Sequence, residues 1–268
     1  MAITALYAAA SGLKALSTRI DVIANNLANA ETTAFKGQRC NFEDLYYQEM
    51  RQPGTTDSAN SISPSGIFVG LGARLSNTEL DLTQGSMEAT GNPLDLAIQG
   101  NGFFAVKILD SLGSTGYSRA GNFIVNSTGQ LVLGLGDGYT LVPPITIPTN
   151  ATNVSIGTDG TVQYIKSGAT VKSTAGQIKL AMFPNPQGLN LLGGSLYAAT
   201  EASGLATIAA PGIDGTGILL SGNLESSNVD PVKELVTLIK TQRSFDLNSQ
   251  SIQAADQALQ VIGNLRKG

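Results

Sequence analysis

The chain has 268 residues, a formal net charge of −4 at pH 7 and charged side chains at only 13% of positions, about half the usual share of a globular domain. It has no histidine, no tryptophan and one cysteine, which excludes a Ser-His-Asp triad, an imidazole base, a zinc site built on His or Cys, and an internal disulfide. No Lys/Arg cluster offers a basic face for nucleic acid, while 31 glycines and many small polar residues suit either a surface that meets other copies of itself or a Gly/Thr-rich secreted β protein.

The N-terminal segment predicts a helix. Leu6, Leu13, Ile20 and Leu27 recur every seventh residue, and Ala9, Leu16 and Ile23 fall three positions after the first three of these. That is an a/d seam, with Lys14, Ser17, Arg19 and Asp21 off it. No proline interrupts Met1 to Met50, and a helical core segment is expected over 1–45. A seam this narrow requires a partner helix. The start has no basic n-region, Lys14 and Arg19 break any apolar run, and no stretch of eighteen apolar residues occurs. Neither a secretory signal peptide nor a transmembrane helix is therefore expected. Asn25, Asn26 and Asn29 are poor helix formers. Their amides either bond another subunit or mark a frayed helix end capped by Asn29. Cys40 reads as a small, partly buried packing residue.

A connector is expected over 46–92. Arg51 to Gly66 is rich in Pro, Gly and Ser, and reads as a long loop or an extended hairpin. From 93 to 223 short apolar runs alternate with Gly/Asn/Asp turns. The runs include Leu94–Ile98, Phe103–Ile108, Phe123–Val125, Gln130–Leu133, Val154–Ile156, Val162–Ile165 and Ile178–Phe183. That pattern predicts a mainly antiparallel β domain. Gly100–Gly102 and Gly134–Gly138 read as turns, since neither opens a helix followed by Lys-Ser/Thr.

The C-terminal segment, 224–268, predicts a second helix over Pro231–Leu265. Asp230 suits the N-cap, Pro231 the first position and Glu234 the positive end of the dipole, with Lys267 near the negative end. Leu238, Phe245, Ile252 and Leu259 recur every seventh residue; Leu235, Ala255 and Ile262 add to that face, while Thr241 and Asn248 weaken it. The expected class is α+β: terminal helices pairing as a coiled-coil-like core, an extended connector and a central β domain. Burying about eight large side chains contributes ~1.5–3 kcal/mol each, against ~1–2 kcal/mol of backbone entropy per ordered residue. A lone helix pair therefore does not hold itself, and the ends are expected to order when further copies add contacts.

The stretch Asp21–Asn29 followed by Thr33-Ala34-Phe35-Lys36-Gly37 resembles the N-terminal signature of flagellar rod and hook proteins. Ser227–Asp230, Glu234–Val236, Thr241–Phe245, Asn248-Ser249 and Asp256–Leu259 resemble the family's C-terminal signature. Ile98–Phe104 and Tyr117–Phe123 are similar to its β domain. Phe42–Gln48, Arg51–Gly54 and Pro64–Gly66 resemble an insertion typical of one branch. The resemblance implies a helical homopolymer across the periplasm, a drive shaft between motor and hook. It implies proximal rod proteins, the hook protein, the peptidoglycan-layer and outer-membrane rings and the flagellar type III export apparatus as partners. It implies no cofactor, no metal, no nucleic acid and no small-molecule substrate.

The self-assembly residues expected on this reading are Leu6, Leu13, Leu16, Ile20, Ile23, Asn25, Asn26, Leu27 and Asn29 at one end. At the other they are Leu235, Leu238, Phe245, Ile252, Leu259 and Ile262. Tyr46, Tyr47, Arg51, Gln52, Pro53, Gly54, Pro64 and Gly66 mark the connector. Two other classes compete. A carbohydrate-active enzyme would use a pair among Asp81, Glu88, Asp95 and Asp110, which otherwise read as surface or turn acids. A coiled-coil surface adhesin would form stable secreted oligomers in cells that lack flagella.

Overall fold

A computed structural model describes residues 2–54, 64–108, 115–135, 138–168 and 171–265. The fold is α+β, with a helix at each end and antiparallel strands between them. The chain divides into two units, one of Met1–Ala28, Gln38–Leu80 and Asp230–Gly268, the other of Asn29–Gly37 and Asp81–Val229.

The first unit gathers both ends of the chain. Helix α1 (Ala2–Ala28) packs along helix α2 (Pro231–Leu265). Helix α2 has the expected span, and Asp230 caps it: its Oδ1 accepts the Val232 N–H at 2.9 Å and the Lys233 N–H at 3.2 Å. Helix α1 is shorter than the helical segment expected over 1–45. It stops at Ala28, and Gln38–Asp44 form strand β1. Between them the Thr32 N–H returns to the Asn29 carbonyl at 3.2 Å and Ala34 stands at φ 55°. The left-handed Ala34 lies six residues beyond the helix end and keeps a right-handed helix from resuming before β1.

Strands β1, β2 (Tyr47–Arg51), β3 (Ile67–Gly70) and β4 (Ala73–Leu80) make one long ribbon. β1 pairs with β4 from Gln38↔Leu80 to Asp44↔Ala73, and β2 with β3 from Tyr47↔Gly70 to Arg51↔Ile67. Bonds from Leu45 N–H to the Gly72 carbonyl and from Leu71 N–H to the Tyr46 carbonyl carry the ladder across the junction. Tyr47–Arg51 and Ile67–Gly70 of the connector thus pair as strands, continuing the ladder that begins at Gln38. At strand rise it is roughly 45 Å long. Residues 55–63 of the expected loop lie outside the described residues.

The second unit is the β domain. Its strands are β5 (Met87–Ala89), β6 (Leu96–Gln99), β7 (Phe103–Lys107), β8 (Thr115–Ser118), β9 (Phe123–Val125), β10 (Leu131–Leu133), β11 (Thr140–Leu141) and β12 (Ala151–Ile156). Then come β13 (Thr161–Lys166), β14 (Lys172–Gln177), β15 (Leu180–Met182), β16 (Asn190–Gly193), β17 (Leu196–Ala198), β18 (Thr207–Ala209), β19 (Ile218–Ser221) and β20 (Asn223–Glu225). Among the described residues nine strands form one sheet along β16-β17-β8-β7-β11-β10-β9, with β15 joining β7 to β18. β12-β13-β14 form a three-stranded sheet, β6 pairs with β19, and β5 with β20. The core is the apolar runs read from the sequence: Leu96, Ile98, Phe104, Phe123, Leu131, Leu133, Ile178 and Leu180 are fully buried. The Phe104 and Phe123 rings meet edge to face at 5.1 Å.

Candidate assembly interface

On α2 the half-buried residues Leu238, Phe245, Ile252, Ala255 and Leu259 fall on one face. Thr241 and Asn248, expected to weaken that face, complete it: Thr241 is buried and Asn248 half-buried. The Thr241 hydroxyl is satisfied by donating to the Thr237 carbonyl at 2.8 Å, so it enters the seam without leaving a polar atom unpaired. Leu235, expected on the same face, is exposed. The Ile262 side chain lies outside the described residues. On α1, Ala15, Ile23 and Asn26 are buried deepest, whereas Leu6, Leu13, Leu16, Ile20 and Leu27 are half-buried. Small residues decide the approach of the two helices. A Cβ added to Gly12 would stand 3.2 Å from Nδ2 of Asn248.

The asparagine cluster resolves residue by residue. Asn26 is buried, and its amide grips a backbone: Nδ2 donates to the Gln38 carbonyl at 2.8 Å while Oδ1 accepts the Gln38 N–H at 2.9 Å. The sequence offered a frayed end or a bond to another subunit, and for Asn26 the structure supplies a third role, tying α1 to the first residue of the ribbon. Asn29 accepts the Thr32 hydroxyl at 3.1 Å just past the helix end. Asn25 is exposed on α1.

The ribbon is pinned near its middle and apolar at its far part. Gly72 has φ 111°, and a Cβ there would fall 2.0 Å from Oγ of Ser11. That hydroxyl accepts the Ala73 N–H at 3.3 Å and donates to the Ala8 carbonyl at 2.8 Å, so only glycine lets strand and helix meet here. The Arg19 guanidinium lies 5.8 Å from the Phe42 ring, and Arg39–Glu79 and Arg74–Glu43 ion pairs line the ribbon. Beyond the pin, Tyr46, Tyr47, Met50, Ile67 and Phe68 are all exposed, Tyr46 at 89%. Arg51, Gln52, Pro53, Gly54 and Pro64 are exposed beside them, and Gly66 admits the Arg51 carbonyl, which a Cβ would meet at 2.6 Å. All eight connector residues thus stand on the outer half of the ribbon or at its tip.

The β domain holds a buried ionic cluster that sequence reasoning missed. Glu225 receives Lys36 Nζ at 2.6 Å and the Gly85 N–H at 3.0 Å on Oε1, and Arg119 Nε at 2.9 Å on Oε2. Lys36 also donates to the Thr83 carbonyl at 2.7 Å. Arg119 donates further to the carbonyls of Gly102, Ile98 and Gly100 at 3.0–3.2 Å. The side chains of Lys36 and Glu225 are wholly buried and that of Arg119 nearly so. Burial pushes the Glu225 carboxyl up, but Arg119 and Lys36 beside it, with the bonds from Lys36 and Gly85, hold it below its ordinary value. Burial lowers the Lys36 amine, against the pull of Glu225. Burial likewise pushes nearby Tyr197 up to about 12. Lys36 and Glu225 are 189 positions apart, and no periodicity links a charge in the α1–β1 connection to one at a strand end.

The acids weighed for glycoside chemistry are turn and edge groups. Asp95 accepts the Thr90 hydroxyl at 2.6 Å and the Asn92 amide at 3.1 Å, Asp81 accepts the Thr83 N–H at 3.0 Å, and Glu88 meets the Ser226 hydroxyl at 3.5 Å. Asp110 lies outside the described residues. Among the described residues no three or more Asp, Glu or Cys side chains gather as metal ligands.

Three family profiles match the chain. Residues 6–36 match one described as Flagella basal body rod protein, 97–164 one described as Flagellar hook protein FlgE/F/G D1 domain, and 220–265 one described as Flagellar basal body rod FlgEFG protein C-terminal. The chain is 46% identical over 98% of its length to Flagellar basal-body rod protein FlgG of Caulobacter vibrioides, covering 99% of that protein. It is 43% identical to the FlgG of Buchnera aphidicola subsp. Schizaphis graminum, over 98% of this chain and 100% of that one. It is 39% identical to the FlgG of Bacillus subtilis, over 98% of each. The chain belongs to the flagellar basal-body rod family. It is a structural component of the flagellar basal body and assembles with other rod and hook components. Lys36, Arg119 and Glu225 fall one in each of the three matched stretches, so the ionic cluster joins all three parts of the rod-family pattern.

Proposed function

We propose that the chain is a non-enzymatic subunit of the distal flagellar rod, polymerising into a helical tube that passes motor torque to the hook. End-to-end correspondence carries this reading: 46% identity over 98% of the chain with a rod protein matched over 99% of its own length. The placement of both terminal helices in one unit supports it. A heterologous contact that repeats without closing makes a filament, and helices drawn from the two chain ends give each copy a compact element with which to make one.

In this reading the sequence segments have separate tasks. Residues 1–45 and 224–268 build the helical core, whose helices pair in coiled-coil fashion. Residues 46–92 brace neighbouring subunits, and 93–223 face outward. The exposed aromatic and apolar side chains of the ribbon, Tyr46, Tyr47, Met50, Ile67 and Phe68, support the bracing role. Proximal rod proteins, the hook protein, and the peptidoglycan-layer and outer-membrane rings are its partners. The flagellar type III export apparatus delivers it.

The test is electron microscopy of purified basal bodies carrying a tagged chain. Label confined to the outer rod segment is expected; label only in the hook or the proximal rod assigns the chain to another axial position. Deleting Gln52–Ser63 is expected to give a more flexible, hook-like shaft, and unchanged bending stiffness would remove the bracing role from the connector.

A further inference from the structure

Three chain segments of the second unit are bound together at the places where they leave it. The chain passes between the two units after Ala28, Gly37, Leu80 and Val229. The last three of these places lie beside the half-buried Asn228 side chain. Its Oδ1 accepts the Gly37 N–H at 2.8 Å, and its Nδ2 donates to the carbonyls of Asp81 at 2.7 Å and Thr83 at 3.1 Å. The backbones add a bond from the Asp81 N–H to the Gly37 carbonyl at 2.8 Å and one from the Asn228 N–H to the Phe35 carbonyl at 3.3 Å. A few residues further in, the same three segments meet again on Glu225, which takes Lys36 from the first and the Gly85 N–H from the second. Arg119 then joins Glu225 to the carbonyls of Ile98, Gly100 and Gly102. Only Val229 separates Asn228 from Asp230, the cap of α2.

We propose that Asn228 is a mechanical clasp, at which force arriving along the C-terminal chain is shared among three segments before it reaches the β sheet. The inference deepens the reading of the chain as a torque-bearing rod subunit and rests on it. A lone segment pulled from its end gives up its hydrogen bonds one after another, and each is weak by itself. Segments tied side by side must lose theirs together, and a connected network is worth more than its separate bonds. The residue type fits the task. An amide both donates and accepts, so one side chain bridges a backbone N–H and two carbonyls, where a carboxylate would hold only the N–H. The Glu225 cluster behind it passes the load on, since Arg119 fixes that cluster to the carbonyls on either side of the β6–β7 turn.

The test pulls the purified full-length chain between two handles at exposed positions. One is position 107, on β7 between β8 and β11, and the other position 233, in the first turn of α2. Asn228→Ala is expected to lower the rupture force at least twofold. Leu131→Ala, a cavity in the β-domain core, is expected to lower the melting temperature at least as far and the rupture force much less. An unchanged rupture force in Asn228→Ala, or an equal fall in Leu131→Ala, overturns the proposal. If Asn228→Ala does not fold, Asn228→Asp, which keeps the acceptor for Gly37 and loses both carbonyl bonds, is read against the same outcomes. In cells that lack the chain, rods built from Asn228→Ala are expected to twist further under stall torque than wild-type rods, and equal twist also overturns the proposal. If the wild-type chain restores no rod, the function proposed above has failed, an outcome separate from the rupture forces of the purified chain.

Discussion

Replacing Glu225 by glutamine keeps the size of the side chain and removes the one negative charge that, among the described residues, is ion-paired with both Lys36 and Arg119. Those two cations are about as buried as the β-domain core, with side-chain exposures of 0% and 5%. Stranding a buried charge by removing its partner costs ~3–5 kcal/mol, a large part of a domain's typical ~5–15 kcal/mol. At ~2–4 °C per kcal/mol for a chain of this size class, Glu225→Gln lowers the β-domain melting point by about 6–20 °C. Lys36→Met is the control. It leaves the Glu225–Arg119 pair intact and puts an apolar side chain where an ammonium had to be stripped of water, so its cost should be well under half as large. Thermal and urea unfolding of the purified full-length chain, followed by circular dichroism at pH 7, reads both. Melting of Glu225→Gln within about 2 °C of wild type, or greater damage from Lys36→Met, would refute the reasoning that opposite charge, and not shape, holds this junction.

Four further outcomes follow from the same structure. Because Glu225 is held below the ordinary carboxylate range, its contribution is complete above the unfolded group's pKa and is lost as pH falls through the lower folded value; Lys36, lowered from 10.5, makes the unfolded chain the better proton binder between its folded pKa and 10.5, so stability rises with pH across that window. An acid and alkaline unfolding series on wild type and Lys36→Met separates the two, since the alkaline rise should vanish in the variant. Gly72→Ala places a Cβ 2.0 Å from Ser11 Oγ at φ 111° and should cost about 2–5 kcal/mol, whereas Gly54→Ala, with nothing within 4 Å, should cost about 1 kcal/mol; urea midpoints compare them. Asn26→Leu strands both backbone groups of Gln38 and should cost about 2–4 kcal/mol, with faster hydrogen exchange at the Gln38 amide as its signature. Asp230→Ala removes the N-cap of α2 and should cost about 1 kcal/mol, read as increased exchange confined to the first turn of that helix.

The terminal helices and the β-domain core were legible from local pattern. Helix α2 runs over the expected residues because its cap, its N1 proline and its periodicity are all encoded within one stretch of chain, and Leu96, Phe104, Leu131 and Leu180 are core because short apolar runs between turns have nowhere else to go. The heptad count marked the face of α2 that is less exposed yet misjudged Thr241, Asn248 and Leu235: the Thr241 hydroxyl is satisfied within the helix, Asn248 comes against Gly12 of α1, and Leu235 stays exposed. The end of α1 at Ala28 was invisible to a rule that looked for proline: the chain leaves the helix through the Asn29–Thr32 turn, the left-handed Ala34 keeps a helix from resuming, and Asn26 grips Gln38 at the start of β1. What only the tertiary structure decided are the contacts between residues distant in sequence: Ser11 against Gly72, Asn248 against Gly12, and Lys36 with Arg119 on Glu225. Sequence by itself records which residues want a partner, through hydrophobic period and charge; which partner each one meets is set by chain crossings that bring segments more than a hundred residues apart within hydrogen-bond range.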